Sequence, residues 1–216
     1  MPILLIAATS TEILPIIQEL KNKNNYLYKH QIEVLITAVG QATTTYLLCK
    51  KLQTKAFDLV IQAGIAGTFT DAIKLGETVL VKQDCFADLG IEEDGNFNSI
   101  FDAGFSAKND FPFTDGWLLN NHPLLNTGFL PVVKAVTVNK VSDRKIQKQQ
   151  LLHKFSAQIE SMEGAALHYV CLQEKIPFIQ IRNISNEVGD RDKNNWKINE
   201  AINNLNEALQ KMLQQL

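Results

Sequence analysis

The chain is short of the features that would send it out of the cell, into a membrane or onto nucleic acid. It has three cysteines, Cys49, Cys85 and Cys171, odd in number, far apart and without a CxxC pair. That excludes a disulfide framework and points to reduced thiols in a cytoplasmic protein. No apolar run approaches the roughly 20 residues that span a bilayer. The opening run, Ile3 to Ala8, is too short and has no basic segment before it, so it reads as a buried strand rather than a leader. Neither sign of charge dominates, with 21 Lys and Arg against 23 Asp and Glu, so no nucleic-acid partner and no charged tail are expected. Four histidines, His30, His122, His153 and His168, show no ligand spacing with cysteines or acids, and no metal site is expected. The GxGxxG and GxxxxGK[ST] phosphate loops are also missing.

What remains is 216 residues of ordinary globular composition, long enough for one sizeable core. Without repeats, low-complexity segments or a dividing linker, residues 1–216 read as a single domain. Strand patterns fall at Ile3–Ala8, Ile32–Ala38, Leu59–Ala63, Glu77–Val81, Lys134–Val138 and Pro177–Ile184. Helical patterns follow Thr9-Ser10-Thr11, which offers caps, and cover Thr43–Gln53, the stretch after Glu163 and the C-terminus. The last is the clearest, with Ile198, Ile202, Leu205, Leu209 and Leu213 at helical spacing. A segment from Asp84 to Pro123 is rich in loops and aromatics. Phe101, Phe105, Phe111 and Phe113 there suit either a lid or subunit interface, or a satellite core. Interleaved strands and helices predict an α/β fold, a three-layer αβα sandwich around a mixed, mainly parallel sheet.

In such sheets, strand C-termini and helix N-termini converge on one crevice. Four features fall there. Glu12 follows the first strand, as a helix N-terminal acid or as a general base. Gly64 and Gly67 follow the third strand, as a tight turn needing positive φ or as a close approach of backbone to ligand. Glu160 and Glu163 open an apolar helix, and Glu163 is either a dipole partner or a ligand-binding acid. Asn186 ends the strand Pro177–Ile184, closing a turn or reading a ligand.

Three segments carry a more specific signal: Ala63–Gly67 (AGIAG), Glu160–Ala166 (ESMEGAA) and Pro177–Asn186 (PFIQIRNISN). In this order they resemble the purine nucleoside phosphorylase and nucleosidase superfamily over nearly the whole chain. The tail Asn186–Asn206 looks most like the futalosine hydrolases, nucleosidases of menaquinone biosynthesis, and less like the methylthioadenosine/S-adenosylhomocysteine nucleosidases. The resemblance implies a homo-oligomer that completes its site with a neighbour's residues, a small nucleoside substrate, and no metal or organic cofactor. It also implies that Glu12 activates water, Glu163 holds the ribose hydroxyls, Met162 packs on the sugar, Gly67 lines the site, and Thr137 and Val138 flank the purine.

Asn186 departs from the adenine-directed nucleosidases, which carry aspartate there. An amide donates from its NH₂ to a 6-keto oxygen and accepts from N7–H, but gives up no proton at working pH. It therefore favours a 6-oxopurine, and the N7 proton comes from solvent or another group. The superfamily's hexameric phosphorylases place arginines where this chain has ATSTEI and IQAGIAG, with Glu12 and Gln62 instead. A carboxylate beside the nucleophile position repels phosphate, so water is the expected nucleophile. Arg191, Lys193 and Lys197 suit either a 5′ substituent bearing carboxylates or a solvated basic stretch. Arg182 is expected as a core or interface ion-pair residue.

Overall fold

The computed structural model describes residues 1–141 and 143–216. In chain order it runs β1 (Pro2–Ala7), α1 (Leu14–Asn22), β2 (Tyr26–Leu27), β3 (His30–Ile36), α2 (Gln41–Leu52), β4 (Leu59–Thr68) and β5 (Thr78–Asp84). A hairpin, β6 (Gly90–Glu93) and β7 (Asn96–Ser99), and the short β8 (Leu118–Leu119) lead to β9 (Val132–Thr137). Then come α3 (Lys145–Phe155), β10 (Ile159–Ser161), α4 (Gly164–Gln173), β11 (Phe178–Glu187) and α5 (Ile198–Gln215).

The apolar run of β1 is buried on both sides because β3 and β4 flank it in parallel and helices cover both faces. Ile3, Leu5 and Ala7 pack with Ile16 and Leu20 of α1 and with Leu205, Leu209 and Met212 of α5. Leu4 and Ile6 point the other way, to Leu48 of α2 and to Leu167 and Val170 of α4. The period-2 alternation of one strand thus serves two helix layers, giving the three-layer αβα arrangement. The sheet order is β10-β9-β5-β11-β4-β1-β3-β2, with β8 beside β5. Since β10 also pairs with β4, the strands β4, β11, β5, β9 and β10 close into a ring at one end of the sheet. The pairings are mixed: β11 is parallel to β4 but antiparallel to β5.

Several boundaries differ from expectation for local reasons. Gly64–Gly67 is not a loop. It continues β4, hydrogen-bonded to β11 throughout, and neither glycine has positive φ. Glu160 does not open a helix; it lies on β10 between β9 and β4. β3 stops at Ile36, and Ala38 takes φ 58°, leaving extended backbone. Thr9, Ser10 and Thr11 do not cap α1, which begins at Leu14 with Pro15 in its first turn. The hairpin β2–β3 and the polar helix α3 leave no periodic signal in the sequence, since α3 buries Leu151 alone. Among the described residues, no helix is long and apolar enough to cross a membrane.

Candidate active site

The ends of β1, β4, β10 and β11 and the starts of α4 and α5 enclose a cleft of about 390 Å³. Glu12, Gly67, Met162, Glu163 and Asn186 all line it, with Ile65, Glu160, Val188, Arg191 and Trp196.

Glu12 is buried in the turn between β1 and α1, and both its oxygens are held. Oε2 accepts from the Thr9 amide at 2.8 Å and the Thr9 hydroxyl at 3.1 Å, and Oε1 from the Ile65 amide at 3.1 Å. Asn206 of α5, itself buried, donates to the Glu12 carbonyl at 2.9 Å and so pins the turn. Glu163 stands at the N-cap of α4 but makes no capping bond. Its Oε1 accepts from the Gly40 amide at 3.1 Å, and its Oε2 lies 3.6 Å from Arg182 Nη1. Burial pushes the Glu163 carboxyl up, Arg182 and the Gly40 amide oppose that, and Glu12 adds to it. The two carboxylates therefore feel each other across the cleft.

Arg182 is an ion-pair residue, as the sequence leads one to expect, and its partner is an acid of the cleft. It is 1% exposed, and besides Glu163 it donates to Gln62 Oε1 at 2.7 Å from Nη2. A Cβ at Gly64 would overlap Arg182 Nη1 and lie 2.9 Å from Glu12 Oε1. Gly64 is thus required by close approach, not by its backbone angle. Strand parity carries the signal: Gln180 and Arg182 follow Phe178 on the α4 face of β11.

Asn186 sits on β11 beyond a bulge after Ile184, paired with Gly67. It does not close a turn. Ser185 Oγ donates to its Oδ1 at 2.8 Å, and its Nδ2 donates to the Glu187 carbonyl at 2.8 Å, which together fix the amide's orientation. A Cβ on Gly67 would lie 3.3 Å from Asn186 Nδ2 and 2.9 Å from Val188 Cγ2, so the bare Gly67 leaves room above the strand.

Thr137 and Val138 are fully buried and do not line the cleft; Val141, three residues on, forms that wall. Thr137 holds the scaffold instead. Its hydroxyl donates to Asp84 Oδ1 at 2.9 Å and accepts from the Ala165 amide at 2.8 Å, fixing the start of α4 and with it Glu163. Burial lifts the Asp84 carboxyl to about 7, against the opposing pull of Thr137 and Arg182. Behind it, His168 is fully buried, its Nδ1 against the Leu118 carbonyl at 3.0 Å, and burial lowers it to about 4. It is a packed residue.

Of the basic stretch, Arg191 reaches the cleft and lies over the Trp196 ring, 5.3 Å from its centroid. Lys193 and Lys197 do not, and Lys197 pairs with Glu200 at 3.2 Å. Phe101 and Phe113 stack edge-on at 5.1 Å, and Phe113 packs on Tyr169 of α4, a satellite core; Phe105 and Phe111 stand exposed. Among the described residues, no three His, Cys, Asp or Glu side chains gather as metal ligands do.

The sequence model of the Phosphorylase superfamily matches residues 2–216. The chain belongs to that superfamily. Among named relatives, this superfamily member is 29% identical over 187 residues to the futalosine hydrolase of Thermus thermophilus, covering 83% of this chain and 80% of that one. It is 29% identical over 192 residues to the futalosine hydrolase of Streptomyces coelicolor, 83% and 77% of the two chains. The 5′-methylthioadenosine/S-adenosylhomocysteine nucleosidase of Shewanella loihica matches at 26% over 166 residues, 73% and 70%. In fold it is similar to the native structure of futalosine hydrolase of Helicobacter pylori, with a TM-score of 0.80, 16% identity, and 100% and 98% of the chains covered.

Proposed function

We propose that the chain is a nucleosidase that hydrolyses the N-glycosidic bond of futalosine and releases hypoxanthine, a step of menaquinone biosynthesis. The observation that carries this reading is the meeting of two buried carboxylates, Glu12 and Glu163, in one cleft that also holds the oriented amide of Asn186. Cleavage of a ribosyl–purine bond passes through an oxocarbenium-like sugar, as in glycoside hydrolysis. Glu12, held by three donors, takes a proton from the attacking water. Glu163 accepts from the ribose hydroxyls and opposes the positive charge that grows on the ring. Met162 packs on the sugar, and Asn186 accepts from N7–H while donating to the 6-keto oxygen of the departing base. The N7 proton arrives from solvent or from another group.

Water rather than phosphate suits this site electrostatically. The buried guanidinium of Arg182 is already engaged by Glu163 and Gln62, and Glu12 stands beside it. A phosphate dianion beside Arg182 would meet the two carboxylates that already neutralise it. Homo-oligomerisation, with a neighbour's residues completing the cleft, belongs to the same proposal. So does a cytoplasmic setting, supported by three free thiols.

The test is base release from futalosine, inosine and methylthioadenosine, each with and without phosphate. Hypoxanthine from futalosine at a rate indifferent to phosphate is the expected result. Adenine released from methylthioadenosine at a comparable kcat/KM would overturn the role given to Asn186, and a phosphate requirement would overturn hydrolysis.

A further inference from the structure

Beneath the first turn of α4 lies a polar cluster that this scheme does not use. Asp84, His168 and Gln180 are fully buried, and Arg182 borders them from the same face of β11 as Gln180. Among the described residues, five atoms of this group meet no hydrogen-bond partner: Asp84 Oδ2, His168 Nε2, Gln180 Nε2 and Oε1, and Arg182 Nε. Orphaned polar atoms at this depth are costly, and five in one place require a reason.

Gly164 shows how close the cluster stands to the site. A Cβ there would overlap both Asp84 Oδ2 and Gln180 Nε2, so these atoms crowd the residue that follows Glu163. The orphans also complement one another. His168 Nδ1 faces the Leu118 carbonyl, an acceptor, so the ring carries its proton there and offers a lone pair at Nε2. The two protons on Gln180 Nε2 match that lone pair and Asp84 Oδ2, while Gln180 Oε1 matches the N–H at Arg182 Nε. Burial lifts the Asp84 carboxyl and lowers the His168 ring, and Gln180 opposes both shifts. One carboxamide answers three neighbours, which no apolar side chain can do.

Glu163 has two supports. Arg182 Nη1 lies 3.6 Å from its Oε2, and Gly164 carries its backbone into α4. Gln180 adjoins both. We propose that Gln180 is a positioning residue of the ribose site: its amide ties Asp84 and His168, beneath Gly164, to the Arg182 guanidinium, and so fixes where Glu163 presents its carboxylate. This rests on the nucleosidase reading above and deepens it. Asn186 is oriented separately, by Ser185 and the Glu187 carbonyl. Loss of Gln180 therefore strikes recognition of the sugar and spares that of the base.

The experiment compares kcat/KM for futalosine and for its 2′-deoxyribose analogue. It uses the wild type, Gln180→Met and Gln180→Leu, which fill the space without an amide, each variant first checked by its thermal melt. In parallel, NMR follows the titration of the Glu163 carboxyl, assigned by its absence from Glu163→Gln. The wild type is expected to prefer the ribonucleoside at least about tenfold, because a site built to bond a hydroxyl rejects the analogue that lacks it. Either Gln180 variant that melts cooperatively loses about fivefold or more of that preference, and its Glu163 titration moves up as Arg182 is released. An unmoved titration overturns the assignment even if futalosine is hydrolysed, and so does a preference that survives in the variants, the sign of a core filler. If the titration moves but futalosine is not cleaved, the substrate reading falls and Gln180 keeps its place behind Glu163.

Discussion

Glu12 is held by three hydrogen-bond donors, two from Thr9 and the Ile65 amide, and all three need an acceptor rather than a charge. A glutamine keeps the shape and half of the acceptor capacity but cannot take a proton from water. Glu12→Gln is therefore expected to lower kcat by about 10²–10⁴-fold, the usual worth of a positioned general base, with nucleoside affinity changed only a few-fold. Single-turnover base release beside calorimetric binding separates the two quantities. A variant turning over within about twofold of wild type removes Glu12 from the role of base. The neighbouring Arg182 shows why a residue-by-residue reading of sequence is incomplete. Its type, an arginine in a buried strand, signals a paired charge, and pairing with Glu163 is what the structure has. Which acid it would meet depends on a contact between residues 19 positions apart in sequence and on two different elements, which no local pattern encodes.

At the scale of elements, the strands with unbroken apolar runs and the amphipathic α5 were legible because burial on one face or both leaves a period in the sequence. Where the site begins, that signal fails. Gly64–Gly67 reads as a break because glycine is a poor strand former, yet β11 pairs with it and the close approach of Arg182, Glu12 and Val188 excludes side chains at Gly64 and Gly67 themselves. The stripe of α5 hides a division as well: Leu205, Leu209 and Leu213 lie in the core, whereas Ile198 and Ile202 line the cleft. Periodicity finds an apolar face without saying what covers it. The end of β5 offers a measurable consequence of burial. Asp84 titrates near 7 in the folded chain and near 3.9 when unfolded, so the folded state binds the extra proton between these values. Its stabilising contribution is complete below about pH 4 and is lost as pH rises through about 7, on the order of 4 kcal/mol over the window. Asp84→Asn keeps an acceptor for Thr137 and the Cys85 amide and has no charge to bury. Its melting temperature is expected to match wild type near pH 4 and to exceed it by about 8–16 °C near pH 8. Glu160 and Glu163 shift in the same direction in both proteins, so the difference isolates Asp84. Parallel Tm–pH profiles would show that Asp84 is not charged against a buried environment.

The whole molecule carries apolar surface that its own fold leaves uncovered. Tyr46 on α2 is 64% exposed, Phe111 is 64%, and Val39, on the rim of the cleft, is 52%. α2 packs against α4, and the loop bearing Phe111 is anchored to α4 through Phe113 and Tyr169, so both flank the same helix. Large aromatics left exposed on either flank of one helix suit a surface that another protein covers, and a second copy of the chain is the partner the proposed assembly requires. Because Val39 belongs both to this surface and to the cleft wall, covering the one would close the other. Charge placed on the surface should then cost activity through assembly, without touching Glu12, Glu163 or Asn186. Tyr46→Glu with Phe111→Glu is expected to turn a dimer or larger species into a monomer by light scattering, and to raise KM for the nucleoside while the thermal melt stays cooperative. Raising the protein concentration should recover part of the activity, since mass action opposes dissociation. A wild-type chain that is monomeric and fully active at assay concentration would refute the shared site, and an oligomeric double variant would move the interface elsewhere on the surface.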